Sequence, residues 1–399
     1  MPAQHPQSAI TVFLDQPPSC LQFCPACPDY FVIGTYLLTE TKDENGDIQQ
    51  TKTGSLQLWH LDPVQKTLSQ IQRLALPYAV FDLHFHPTDP NTLAIASSVG
   101  SVALFQVSTE LSHPILNHKW TKQIHEDPAI PALFLAWVPQ SWFRQDAADG
   151  FAVTFSDSRT AVFGTERSLL DEDSIGEWGN FAARQMIEVW FVALATYREP
   201  LTPDSKSEEG HDIPFMFTGD DFGSLHTRRF SKESSDSESE IEPLASLLIA
   251  HDDRSRHHTA GVTAILPLPI PLTDDAPFLL TGSYDESLRV YHATRRGEVL
   301  AELGLGGGVW RLQVLKTTRV VDGWYFLVLA SCMHAGTRVV RVSYEGCEWG
   351  IEVLAEFTEH ESMNYASDMW KGPSESAELL CVSSSFYDQR VCVWTVDVQ

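Results

Sequence analysis

The stretch "SFYDQRVCVW" (385–394) places Asp388 six residues before Trp394, between two runs rich in β-branched and aromatic residues. The same spacing recurs in "GSYDESLRVY" (282–291), which contains Asp285 and Tyr291. The same spacing of six residues, called the repeat frame below, separates five further pairs: Asp157 and Phe163, Thr53 and Trp59, Val99 and Phe105, Phe222 and Arg228, and His334 and Val340. An apolar run, a tight polar turn and an alternating run predict two antiparallel strands joined by a short loop.

Seven copies of this frame, about 46 to 65 residues apart, predict seven structural repeats. Apolar runs such as "AVFDLHF" (79–85) precede the pairs and can supply an inner strand. Four short strands per repeat are typical of a β-propeller, in which neighbouring blades bury one another's faces. Because the aspartate and the terminal tryptophan resemble the WD-repeat pattern, the expected fold is an all-β, seven-bladed WD-repeat β-propeller. A single propeller is predicted for residues 1–399, with an N-terminal strand at about 8–14 closing the last blade.

Three polar segments interrupt the repeats, at 39–53, 198–212 and 231–242. The first is a polar hairpin insertion in the first blade, and the other two are rich in serine and acidic residues. Such segments cannot bury enough apolar surface to fold, so flexible insertions are predicted. The two serine- and acid-rich segments are either solvated linkers or carriers of phosphorylation sites.

The net charge and the cysteines indicate which classes of protein and which compartment fit this sequence. A formal net charge of −26 argues against a nucleic-acid-binding surface, which needs a basic stripe. Without an 18-residue apolar run or a signal peptide, no membrane association is expected. Seven cysteines, an odd number, indicate reduced thiols in a cytoplasmic protein. Cys24 and Cys27 lack a second metal-binding pair, so no metal site is predicted.

The residues alone favour a protein-binding scaffold, because no GxSxG, HExxH, P-loop or GxGxxG motif is present. Blade six is unusual. In the WD-repeat pattern, a histidine before the first strand and the turn aspartate share a hydrogen-bonded set, as expected for His360 and Asp388. Blade six instead has Gly306–Gly308 and His334 at these places. His334 is therefore either a general acid or base on the face of the propeller where these loops emerge, or a cap of its turn.

Ordered motifs in most blades resemble one known family. They are "VIGTY" (32–36), "TGSYDE" (281–286), "GGVWR" (307–311), "CMHAG" (332–336), "HESMNYASDMW" (360–370) and "SSFYD" (384–388). Together they resemble the WD-repeat diphthine methyl ester hydrolases of diphthamide biosynthesis. The resemblance implies a cytosolic carboxyl methyl ester hydrolase that acts on methylated diphthine of elongation factor 2, releasing methanol and diphthine before amidation. The alternative is a non-catalytic adaptor that presents elongation factor 2 to the amidating enzyme.

Blade four departs from the family pattern. Gln185 stands where a histidine is expected before Glu188 and Trp190, and Phe222 with Arg228 replaces the aspartate and tryptophan. A catalytic role for blade four is therefore not expected.

Ester hydrolysis needs an activated nucleophile and donors for the developing oxyanion. Under the resemblance, the expected general base is His334. Its expected companions are Asp285 or Glu286 to orient the ring, Arg311 or the Gly306–Gly308 amides to hold the oxyanion, and Ser362 or Cys332 as an alternative nucleophile.

The implied substrate carries a quaternary ammonium group, which an aromatic face attracts by about 0.5–2 kcal/mol. The residues predicted to bind substrate are Tyr284, Glu286, Trp310, His360, Tyr365 and Tyr387. Packing within the blades is the alternative role of the aromatic ones. The implied partner is elongation factor 2, with other enzymes of the pathway as further candidates. A monomer that needs neither cofactor nor metal is expected.

Overall fold

Seven antiparallel sheets follow one another along the described part of the chain, residues 2–42, 46–110, 113–198, 211–232, 244–372 and 378–398 of a computed structural model. The predicted all-β, seven-bladed β-propeller is confirmed. Most of the predicted insertions at 198–212 and 231–242 lies outside the described residues. Within those residues, no helix is long and apolar enough to cross a membrane.

The first four blades take their strands from the chain in order. Blade one contains β2 (Pro18–Phe23), β3 (Tyr30–Thr35), β4 (Leu37–Lys42), β5 (Ile48–Asp62) and β6 (Thr67–Leu76). Blade two contains β7 (Val80–Phe85), β8 (Thr92–Ser97), β9 (Ser101–Ser108) and β10 (Ile115–Gln123). Blade three contains β11 (Ala132–Trp137), β12 (Asp149–Phe155), β13 (Arg159–Thr165) and β14 (Gly176–Ala182), with a short 3₁₀ helix at Glu172–Ser174. Blade four contains β15 (Val189–Arg198), β16 (Asp212–Asp220), β17 (Leu225–Ser231) and β18 (Ser246–Asp252).

The last three blades follow the same order, except that the seventh borrows a strand from the N-terminal region. Blade five contains β19 (Val262–Pro267), β20 (Phe278–Ser283), β21 (Ser287–His292) and β22 (Glu298–Gly304). Blade six contains β23 (Arg311–Val320), β24 (Gly323–Ser331), β25 (Thr337–Glu345) and β26 (Glu348–Phe357). Blade seven contains β27 (Ala366–Met369), β28 (Glu378–Ser385), β29 (Arg390–Asp397) and β1 (Ser8–Phe13).

Strand β1 completes blade seven from the other end of the chain. It runs antiparallel to β29, with Thr11 opposite Cys392 and Phe13 opposite Arg390. A strand added to an edge pairs the N–H and C=O groups that the edge would otherwise expose.

The strand register places the repeat frame at the tips of the hairpins between second and third strands. Ser331 pairs with Thr337, which puts His334 in the middle of its turn. Gly282 pairs with Leu288, which puts Asp285 at the same place in blade five. His334 therefore occupies the position that an aspartate has in blade five.

The insertion at 39–53 forms a two-stranded ribbon in its described residues. Strand β4 pairs with the first part of β5, with Leu37 opposite Thr53 and Lys42 opposite Ile48. Residues 43–45 lie outside the described part. The second part of β5 continues into blade one, where it pairs with β3 and β6.

The strands group into two units, residues 1–132 with 303–399, and residues 133–302. In the first unit, apolar side chains of adjacent blades pack face to face, as Leu58 of blade one does in a cluster with Leu83 and Ile95 of blade two. Another cluster joins Ile33 of blade one to Val382 of blade seven. Blade one is therefore packed between blades two and seven, and its first strand, β2, contacts the first strands of both, β7 and β27.

Candidate functional site

A cavity of about 170 Å³ opens among the first strands of blades one, two, six and seven, all in the first unit. Alternate residues of a strand point to opposite faces, so residues two apart can line the same cavity. The charged and amide side chains of the lining include Asp82 and His84 on β7, Arg311 and Gln313 on β23, and Asp368 on β27. A space of this size holds several water molecules. Water and a small polar group can therefore meet these side chains.

Arg311 links the cavity to an aromatic surface. Its guanidinium carbon lies 4.6 Å from the centre of the Trp310 ring, and its Nη1 donates a hydrogen bond to the Trp310 carbonyl oxygen at 2.9 Å. Its Nη2 lies 3.9 Å from Asp82 Oδ1. Because a buried carboxylate is costly without a cation nearby, this contact stabilises Asp82, which is 3% exposed.

A histidine and an aspartate lie together on β7. His84 Nε2 is 2.8 Å from Asp82 Oδ2. The two residues are two apart in a strand, so both side chains face the cavity. The imidazole is half-buried, whereas the carboxylate is buried. The carboxylate of Asp82 thus lies between an imidazole and a guanidinium.

Two further polar side chains of the cavity lining, those of Cys20 and Asp368, are buried. Burial and the nearby Asp82 carboxylate raise the pKa of the Cys20 thiol far above its ordinary value. Asp368 Oδ2 accepts a hydrogen bond from the Phe23 N–H at 2.8 Å, and its Oδ1 accepts one from Gln313 Nε2 at 2.8 Å. Burial raises the pKa of Asp368 as well. These two groups are therefore better suited to shaping the cavity than to reacting in it.

A row of aromatic rings adjoins the cavity lining. Ring centres are 5.1 Å apart for Trp310 and Tyr365, and 5.5 Å apart for Tyr365 and Phe386. The row continues through Tyr36 to Phe81, at 6.2 Å and 5.3 Å. These are ordinary distances for interacting rings. All five rings are partly exposed, so the row offers π faces to a ligand beside Arg311.

His334 lies in an exposed turn held by backbone hydrogen bonds. The Asn364 N–H donates to the Met333 carbonyl oxygen at 3.0 Å. Met333 and Gly336 have positive φ values of 43° and 80°, whereas Glu286, which follows Asp285, has the positive φ in blade five. Within the described ranges, the side chain of His334 has no hydrogen bond or ion pair. The backbone of blade six thus forms its turn without a side-chain cap from His334.

The other predicted residues of the first unit lie outside the cavity lining. Ser362 Oγ accepts a hydrogen bond from the Tyr387 N–H at 2.8 Å, and Tyr387 is 72% exposed. Cys332 is buried, which raises the pKa of its thiol to about 12. His360 is also buried, with Nε2 2.8 Å from Ser383 Oγ.

Three predicted residues belong to the second unit. Asp285 Oδ1 accepts a hydrogen bond from Arg289 Nη1, and Oδ2 accepts one from the Thr259 N–H, both at 2.9 Å. Although burial opposes it, these bonds hold the pKa of Asp285 below its ordinary value. Glu286 is exposed, and Tyr284 packs edge-on against an indole ring of the same unit. The described contacts of Asp285 are those of a residue that holds its own turn.

Of the predicted residues, the structure brings Arg311, Trp310 and Tyr365 together. Asp82 and His84 lie beside them but were not predicted from the sequence motifs. A signal for this pair was present in "AVFDLHF" (79–85). Two polar residues alternate there with apolar ones, and in the first strand of a blade such alternation directs the polar side chains to one face.

Known proteins provide two comparisons of sequence. No family model matches the chain. A Schizosaccharomyces pombe protein named diphthine methyltransferase is 24% identical over 386 residues, which cover 96% of each chain. Human and mouse proteins of the same name are 30% and 31% identical over 124 and 117 residues. These segments cover 29% and 28% of this chain, and 23% and 20% of theirs.

Among solved structures, the chain is similar to Chaetomium thermophilum Sqt1, which was crystallised bound to the N-terminus of the ribosomal protein L10. The TM-score is 0.56 at 12% identity, covering 95% of this chain and 86% of that one. At this identity the likeness shows the fold alone. Fold and sequence agree with the motifs: this chain is a WD-repeat propeller that is similar, over 96% of its length, to the Schizosaccharomyces pombe protein named diphthine methyltransferase.

Proposed function

We propose that this chain hydrolyses the methyl ester of methylated diphthine on elongation factor 2, releasing methanol and leaving a carboxylate. Two lines support the proposal. Its relatives are named for diphthine, and the full-length match to one of them covers 96% of each chain. The observation that carries the proposal is the position of Arg311, between a cavity that can hold water and a row of aromatic rings.

The chemistry of this substrate fits the arrangement around Arg311. Attack of water on the ester carbonyl develops negative charge on its oxygen, and a fixed guanidinium stabilises such an oxyanion. The quaternary ammonium group of diphthine would lie on the aromatic row at Tyr365, because Arg311 already lies over the ring of Trp310. The net charge of −26 favours the approach of a cationic substrate by steering.

Elongation factor 2 is the proposed partner, and the reaction is proposed to occur in the cytoplasm with the chain as a monomer. Other enzymes of diphthamide biosynthesis are further proposed partners. Seven free cysteines are consistent with a reducing compartment.

The test is to incubate the purified chain with elongation factor 2 that carries methylated diphthine. Hydrolysis predicts methanol, and a modified peptide lighter by one methylene group, without any added methyl donor. Elongation factor 2 with unesterified diphthine is the matched control substrate. A reaction that depends on added S-adenosylmethionine would instead indicate methyl transfer, as the name of the relatives suggests. Binding of the factor without methanol release would indicate the adaptor.

A further inference from the structure

The Asp82–His84 pair of the cavity wall has the chemistry that the proposed reaction needs. We propose that His84 is the general base that activates the attacking water, that Asp82 is the positioning residue that orients its ring, and that Arg311 receives the oxyanion. The inference rests on the proposed function and assigns its catalytic groups to the cavity instead of the blade-six turn.

The pair places an imidazole within ion-pair distance of a buried carboxylate. His84 Nε2 lies 2.8 Å from Asp82 Oδ2, and the carboxylate is almost wholly shielded from solvent. A base that takes a proton becomes an imidazolium, which a carboxylate at this distance stabilises and keeps in one orientation. The half-buried ring lines the cavity, and because Nε2 is buried against Asp82, Nδ1 is the nitrogen that would take the proton from water.

A second contact of Asp82, with Arg311, connects the proposed base to the proposed oxyanion donor. Its Oδ1 lies 3.9 Å from Arg311 Nη2, so one carboxylate faces both the imidazole and the guanidinium. Arg311 is further fixed by stacking on Trp310 and by its hydrogen bond to the carbonyl oxygen of that residue. A donor that is already in place needs no reorganisation when the charge develops.

Protein nucleophiles in the cavity wall are poorly suited to the reaction. The Cys20 thiol is buried beside a carboxylate, so its reactive thiolate is disfavoured. Ser19 Oγ donates to the backbone carbonyl oxygens of Gly34 and Val80, at 3.1 and 2.6 Å. Ser331 Oγ donates to Ser367 Oγ at 3.1 Å. Water is therefore the nucleophile that the arrangement favours.

The proposed step conserves atoms and charge. His84 takes one proton from water while the water oxygen bonds to the ester carbonyl carbon, and the carbonyl oxygen becomes an oxyanion opposite Arg311. The intermediate collapses by breaking the bond between the carbonyl carbon and the methoxy oxygen. Protonated His84 returns the proton to that oxygen, so methanol and the diphthine acid leave and the acid releases a proton to solvent.

The experiment compares the steady-state kcat and KM of methanol release by wild type, His84→Ala, His84→Gln and Asp82→Asn, with methyl-esterified elongation factor 2 as the substrate. Loss of a general base is expected to lower kcat of both His84 variants by about 10²- to 10⁴-fold, while KM changes little. Added imidazole should restore part of the rate of His84→Ala, which a structural role would not predict. Asp82→Asn should lower kcat with KM unchanged.

His118→Ala is the matched control, because His118 lies exposed on the outermost strand of the same blade. His334→Ala tests the competing candidate in the blade-six turn. If wild type releases no methanol, the proposed function fails. If wild type is active and both His84 variants keep at least half of its rate, or if imidazole rescues His334→Ala instead, the inference about His84 is overturned while the proposed function stands.

Discussion

At the scale of single residues, one buried histidine holds its blade together. His360 Nε2 lies 2.8 Å from Ser383 Oγ, to which Trp394 Nε1 donates a hydrogen bond at 3.0 Å. The Glu361 N–H donates to Asp388 Oδ2 at 3.1 Å. These contacts give a physical reason for the spacing between Asp388 and Trp394, since both ends of the frame fix the loop that carries His360.

Acid is expected to destabilise the fold through His360. Burial lowers the pKa of His360 from 6.5 to about 4 in the folded chain. Between these values the unfolded chain binds a proton that the folded chain does not, so the free energy of unfolding falls by up to about 1.4 kcal/mol per pH unit. Urea unfolding of wild type and His360→Gln at pH 7, 6 and 5 measures this. The variant should lose less stability on acidification, whereas equal slopes would contradict the assignment. His118→Gln, an exposed histidine, should behave like wild type.

Arg311 is the residue on which the proposed chemistry depends most. Replacement by glutamine removes the charge that faces the oxyanion, so kcat is expected to fall by about 10²-fold or more. Arg319→Gln is a matched control, because Arg319 lies on the same strand and also stacks on a tryptophan, 5.4 Å from the ring centre of Trp324, but is exposed. Methanol release by Arg311→Gln at the wild-type rate would contradict the proposed role of Arg311.

At the scale of elements, the loop before β27 is fixed by Asn364, which is wholly buried. Its Nδ2 donates to the carbonyl oxygens of Ala366 and Ser384, at 3.0 and 2.8 Å, and its Oδ1 accepts a hydrogen bond from Thr337 Oγ1 at 3.1 Å. The loop that carries Tyr365 is therefore tied to blades six and seven. This explains why the motif "HESMNY" (360–365) contains an asparagine directly before the tyrosine.

Asn364→Ala is expected to remove three hydrogen bonds, with Thr337, Ala366 and Ser384, from a wholly buried site. A hydrogen bond contributes about 0.5–1.5 kcal/mol, so the free energy of unfolding is expected to fall by about 1–3 kcal/mol. Urea unfolding monitored by tryptophan fluorescence measures the loss. Asn180→Ala, at an exposed asparagine of blade three, is the control and should lie within about 0.5 kcal/mol of wild type. Equal stability of the two variants would refute this role of Asn364.

At the scale of the whole molecule, β1 closes blade seven, and its neighbour Leu14 is buried in the cluster with Val391 and Val393 of β29. Removal of residues 2–14 should expose the edge of β29 and part of this core. The truncated chain is expected to melt several degrees below wild type and to aggregate more readily, as measured by thermal unfolding and light scattering. Truncation without a change in melting would contradict the closure.

Most of the fold could be predicted from the sequence because a hairpin is a local pattern. The frame around Asp285 and around His334 fixed the turn centres, and the register confirms both. The sequence could not show that the blade-six turn has its positive φ at Met333, because turn backbone depends on contacts such as that with Asn364.

The site could be predicted in part. Arg311, Trp310 and Tyr365 were predicted from motifs; Arg311 and Tyr365 line the cavity, and Trp310 contacts both. Asp82 and His84 were missed because the cavity joins strands that are distant in sequence, and no linear spacing relates β7 to β23. Alternation within β7 was the one local signal of their shared orientation.

The central claim is that this chain cleaves the ester by adding water at the carbonyl carbon. A single turnover in ¹⁸O-labelled water, followed by mass spectrometry of both products, tests it most directly. Addition of water at the carbonyl carbon predicts the label in the diphthine carboxylate and unlabelled methanol. Label in the methanol, or no methanol at all, would contradict it.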